Sequence, residues 1–71
     1  MEVPYTEEPV IYYGIADYKS IEETELSFLH GDILYVLRVG DGGWWYARCQ
    51  RTLEEGWVPG SYLEKWDVDV Q

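Results

Sequence analysis

Seventy-one residues, with fourteen Asp and Glu against five Lys and Arg and a formal net charge of −9, describe one small acidic domain. A chain this short buries roughly 60% of the surface its unfolded form exposes, so one modest core is the ceiling. The charge argues against a nucleic-acid ligand and against direct docking on anionic membranes, both of which need Lys and Arg clusters, while 46% hydrophobic and 17% aromatic residues is too apolar for an acidic disordered tail.

Residues 1–10 (MEVPYTEEPV) hold two prolines and no periodic apolar pattern, and read as an acidic leader. With Glu2, Glu7, Glu8, Asp67 and Asp69 confined to the ends, nine acids face five bases in residues 11–66, a net of −4. The domain is therefore expected at 11–66 and a short tail at 67–71. Ile11 to Ala16 is apolar and aromatic and reads as a short strand. In Lys19 to Leu29, Ser20 followed by Glu23 imitates a helical capping box. The apolar positions 21, 26, 28 and 29 fit no helical face, so the segment reads as a long polar loop ending in a strand.

Ile33 to Val39 is a near-continuous β-favouring run, and Gly40-Asp41-Gly42-Gly43 after it is a hairpin loop rich in residues that accept positive φ. That glycine cluster has neither the GxGxxG nor the GxxxxGK spacing of a phosphate cradle. Trp44 to Cys49 is the next strand, Gln50 to Glu54 a reversal, and Gly56 to Val58 a short strand that Pro59 ends by removing a backbone donor. Strands at this spacing with turn signals between them imply an all-β sandwich or barrel.

A single cysteine, Cys49, cannot close an intrachain disulfide, and no stretch resembles a signal peptide or a membrane span. A reducing, cytoplasmic setting and a monomeric isolated domain are expected. Catalysis fails on inventory: the only imidazole, His30, precedes a Gly-Asp turn, and Cys49 continues the strand face of Trp45 and Ala47. These read as a solvated turn residue and a half-buried small hydrophobe. Two such ligands fall short of a zinc site, so neither an enzyme, a metal nor a cofactor is expected.

The aromatic excess carries the functional signal. Twelve aromatic side chains cannot all be buried in so small a core, and surface clusters of Trp and Tyr mark binding faces. Strand alternation puts Trp45, Ala47 and Cys49 on one face and Trp44, Tyr46 and Arg48 on the other. Ala47 marks the core side, which leaves Trp44 exposed at the loop edge. Flat indole beside acidic loops suits a pre-ordered proline-rich segment that also carries a cation.

Gly14-Ile15-Ala16-Asp17-Tyr18, Glu25-Leu26-Ser27-Phe28, Gly31-Asp32-Ile33-Leu34, Trp44-Trp45-Tyr46-Ala47-Arg48 and Gly56-Trp57-Val58-Pro59-Gly60-Ser61-Tyr62-Leu63 occur in this order. Together they resemble an SH3 domain covering residues 11–66. The Ile-Ala-Asp-Tyr and Gly-Trp-Trp-Tyr patterns also look like the SH3 domains of NADPH-oxidase organisers and related PX-domain scaffolds. The resemblance implies a five-stranded barrel of two packed antiparallel sheets, without catalytic activity, that binds proline-rich PxxP segments.

It further implies a groove lined by Tyr18, Trp44, Pro59 and Tyr62, with Trp57 beside it. Ser61 stands for the usual Asn, with a shorter hydrogen-bonding reach. Glu25 matches the loop acid that pairs with a ligand's Arg or Lys, and Glu22, Glu23 and Asp41 add to that field. Ala16 stands where the family has a Tyr, which removes one wall of a proline pocket. Leu26, Phe28, Leu34, Val36, Ala47, Val58 and Leu63 are the expected core.

The leading expectation is an adaptor module for proline-rich, Arg/Lys-bearing segments, in another protein or in its own parent chain. Two alternatives belong to other classes. One is an SH3-like barrel whose aromatic cage takes methylated Lys by cation–π attraction. The other is a structural barrel with its groove covered.

Overall fold

The computed structural model describes residues 10–66, so the acidic tail, and all of the leader except Val10, lie outside the described residues. Five strands follow one another: β1 (Ile11–Gly14), β2 (Ile33–Val39), β3 (Trp44–Cys49), β4 (Glu55–Pro59) and β5 (Leu63–Lys65), with a 3-10 turn at Gly60–Tyr62 before the last. They pair antiparallel in the order β4-β3-β2-β1-β5. β2 and β3 occupy the residues expected from their β-favouring runs, and Gly42 and Gly43 between them take φ of 65° and 85°. The register of β2 against β3 shifts between Val36 and Arg38, and a bulge of this kind bends and twists the sheet over its own core.

Closure comes from the long loop between β1 and β2. Leu26 N–H donates to the Trp57 carbonyl at 3.0 Å and Trp57 N–H to the Thr24 carbonyl at 2.9 Å, which covers the outer edge of β4. Gly56 permits that approach, since a Cβ there would sit 2.8 Å from the Glu25 carbonyl carbon. Capping the open edge in this way removes a row of unpaired backbone groups and completes the expected all-β barrel.

The loop does not end in a strand. Tyr18 and Phe28 form an isolated bridge, Glu25 and Trp57 another, and the turns between them leave no continuous ladder. The fifth strand is Leu63–Lys65, paired with Tyr12–Gly14. β1 stops at Gly14 rather than Ala16: its pairing with β2 ends at Tyr13 opposite Ile33, and only the Ile15 N–H still reaches the β5 side, at the Tyr62 carbonyl, 2.9 Å away.

Leu26, Phe28, Leu34, Ala47, Val58 and Leu63 form the buried core as their positions imply, together with Cys49. Cys49 is fully enclosed rather than half-buried, since it pairs with Leu34, itself fully buried. Val36 is half-buried instead of core. It lines a hollow of about 250 Å³ with Tyr12, Leu37, Val39 and Trp45.

One buried charge braces the end of the barrel away from the glycine loop. Arg51 donates from Nε to Asp32 Oδ1 at 2.8 Å and from Nη2 to Oδ2 at 2.9 Å, and Leu29 N–H adds a bond to Oδ2 at 2.8 Å. The β3–β4 turn is thereby pinned to the turn that enters β2. These bonds hold the Asp32 carboxyl below its ordinary range, the Arg51 guanidinium contributing most.

Candidate functional site

Trp44 opens β3 directly after the glycine loop and lies opposite Pro59 in the β3–β4 register. Tyr18 is fixed by two backbone hydrogen bonds with Phe28, of 2.8 and 2.9 Å. Its ring meets Tyr62 edge-on at a centroid distance of 5.3 Å and Trp44 at 6.4 Å. Tyr62, delivered by the turn after β4, is 36% exposed. Tyr18, Trp44, Pro59 and Tyr62 therefore come from three separated parts of the chain into one aromatic surface. Trp44 is half-buried rather than exposed, with the Tyr18 ring on one side and Pro59 across the ladder.

Glu25 joins this surface through Tyr18. The Tyr18 hydroxyl donates to Glu25 Oε1 at 2.6 Å, and Ile21 N–H donates to the same oxygen at 2.9 Å. The Ile21 amide, then the Tyr18 hydroxyl and more weakly the Glu22 amide hold the Glu25 carboxyl below its ordinary range, so it is ionised at neutral pH. The Tyr18 phenol is pushed up to about 12, chiefly because it donates to that carboxylate.

Glu22, Glu23 and Asp41 are exposed, the first two in the loop of Glu25 and the third in the glycine loop beside Trp44. Ser61 is exposed in the turn that carries Tyr62. Ala16 is exposed as well, and no aromatic ring stands at its position. Tyr62 does not face an open floor on both sides, because Tyr18 buttresses one of them.

Trp57 lies two residues along β4 from Pro59 and stacks edge-on with Tyr46 at 5.2 Å. Its backbone bridge to Glu25 ties this aromatic pair to the acidic loop. Tyr46 was absent from the groove residues implied by the family pattern. Its place on the Trp44 face was nevertheless contained in the strand alternation. Among the described residues no three His, Cys, Asp or Glu side chains converge to hold a metal ion.

The profile of the SH3 domain matches residues 14–60, more than half of the chain. The chain belongs to the SH3 domain family. It is 39% identical over 62 residues to human SH3 and PX domain-containing protein 2A, covering 83% of this chain and 5% of that protein. It is 44% identical over 54 residues to mouse proline-serine-threonine phosphatase-interacting protein 1, covering 76% of this chain and 12% of that protein. This SH3 domain thus spans only a small part of the length of the relatives it matches. Among solved structures it is similar to the C-terminal SH3 domain of myosin IB from Entamoeba histolytica, bound to an EhFP10(GEF) peptide. That likeness has a TM-score of 0.77 at 28% identity, over 86% of this chain and 98% of that one. SH3 domains are, as a family, non-catalytic interaction modules for proline-rich peptides, and the resemblance to PX-domain scaffolds agrees with the first of these relatives.

Proposed function

We propose that this SH3 domain binds proline-rich segments carrying Arg or Lys, in another protein or within its parent chain, and so serves adaptor and scaffold assembly in the cytoplasm. The observation that carries the reading is the Tyr18 ring, in edge contact with Tyr62 and Trp44 and hydrogen-bonded to the ionised Glu25. Aromatic ridges hold the rings of a polyproline II segment, whose extended form is already ordered before binding. Tyr62 and Tyr18 supply one pair of ridges, and Trp44 with Pro59 the next. The Ser61 hydroxyl reaches for a ligand carbonyl, and Trp57 flanks the seat of the basic residue.

Glu25 takes the ligand's cation, within a field extended by Glu22, Glu23 and Asp41. The domain acts by binding, as its family does. It does so as a monomer, and its lone buried thiol suits a reducing compartment. Fluorescence titration with three peptides tests the reading: a PxxP peptide with Arg, the same peptide with Gln in place of Arg, and a trimethyl-lysine peptide without prolines. The first should bind best. Preference for the trimethyl-lysine peptide would replace the proline groove with an aromatic cage.

A further inference from the structure

Both well-formed hydrogen bonds to the Glu25 side chain fall on one atom, Oε1, from the Tyr18 hydroxyl at 2.6 Å and the Ile21 amide at 2.9 Å. A carboxylate oxygen has two lone-pair directions, so these donors fill Oε1. Among the described residues no well-formed hydrogen bond falls on Oε2, the Glu22 amide adding only a weaker contact to the carboxylate. The carboxylate is thus half-committed to the fold before any ligand arrives.

We infer that Glu25 reads a ligand's positive charge through a single oxygen, Oε2, so that the domain accepts Lys nearly as well as Arg at the basic position. The inference rests on the proline-groove reading above and narrows its partner class. The advantage of Arg over Lys at a carboxylate lies in its planar fork, which places two parallel N–H donors on two oxygens. With Oε1 occupied, the fork loses its second acceptor. An ammonium group, with three donors on a compact charge, makes the one remaining contact equally well. Tyr18 is then a positioning residue for selectivity, because its hydroxyl decides how many Glu25 oxygens face the ligand.

Two proline-rich peptides differing only in Arg or Lys at the basic position test this by calorimetric titration against the unaltered domain and Tyr18→Phe. For the unaltered domain the two dissociation constants should agree within about threefold, the second fork hydrogen bond being absent. Tyr18→Phe frees one direction on Oε1 and should move the ratio towards Arg several-fold. A purely packing role for the Tyr18 ring would leave the ratio where it was. An Arg preference of roughly tenfold in the unaltered domain, the worth of one further charge-assisted hydrogen bond, overturns the inference alone. So does an unchanged ratio in Tyr18→Phe. Failure of both peptides to bind overturns the inference and the proline-groove reading together.

Discussion

The Tyr18 hydroxyl and Glu25 Oε1 are 2.6 Å apart, which couples a ring of the aromatic groove to the acid beside it. Deprotonating Tyr18 removes the donor, and protonating Glu25 weakens the acceptor. The fold favours neutral Tyr18, so this contribution is full below the phenol's ordinary value of 10 and is lost as pH rises towards about 12. It favours ionised Glu25, so that contribution is full above the carboxyl's ordinary value of 4.5 and is lost as pH falls through its lowered folded value. Glu25→Gln should bring the Tyr18 titration back towards its ordinary value, followed by the ring carbon chemical shift in alkaline solution. An unmoved titration would mean that Glu25 is not what raises it.

Adjacent tryptophans should behave oppositely. Trp45 packs on the core, edge-on to Tyr12 at 4.8 Å, and its ring lies against Gly60. Trp44 stands on the groove face. Trp45→Lys should lower the melting temperature sharply, because it places a charge against the core. Trp44→Lys should abolish peptide binding with the fold retained. Thermal unfolding and peptide titration on the two variants check this, and like behaviour would refute the strand layout.

The Asp32–Arg51 pair should contribute to stability in acid. The carboxyl is held below its ordinary value of 3.8, so its contribution is full above that value and is lost as pH falls through the lowered one. Arg51→Gln should destabilise the domain at neutral pH and move acid unfolding to higher pH. Circular dichroism along a pH series reads both effects. An unchanged acid profile would leave the pair without a role in stability.

Ala16→Tyr should tighten a short PxxP peptide. A restored ring burying roughly 40 Å² more apolar surface is worth about 1 kcal/mol, or roughly fivefold in affinity. Titration of both forms with one peptide measures the gain. Equal or weaker binding would mean that the ligand bypasses the Tyr62 pocket.

The residues that were legible in the sequence are those whose structure depends on local pattern. The run Ile33–Val39 and the alternation Trp44–Cys49 announced β2 and β3 because each strand has a β-rich composition and a glycine boundary. β5 was hidden: Leu63-Glu64-Lys65 offers one apolar residue and follows a Pro-Gly turn, so only its pairing with β1 makes it a strand. The apparent strand near Phe28 failed for the converse reason, having β-like residues but only single bridging partners. In the candidate site, the family pattern named Trp44, Tyr18 and Tyr62, whose rings the fold brings together, and strand alternation alone pointed to Tyr46. The Tyr18–Glu25 hydrogen bond was not legible. It depends on how the loop folds back between two residues seven positions apart, and no periodicity encodes that.

A proline-rich basic segment should bind on the Tyr18–Trp44–Pro59–Tyr62 surface, with its cation beside Glu25. Heteronuclear NMR titration of the labelled domain with one such peptide tests it most directly. The largest shifts should fall on the Trp44 indole, the Tyr62 and Glu25 amides and the Trp57 indole, while the Trp45 indole and the Arg51 turn stay still. Shifts centred instead on Trp45, Leu37 and Val39, or on the turn around Arg51, would contradict this and move the binding site to another face of the barrel.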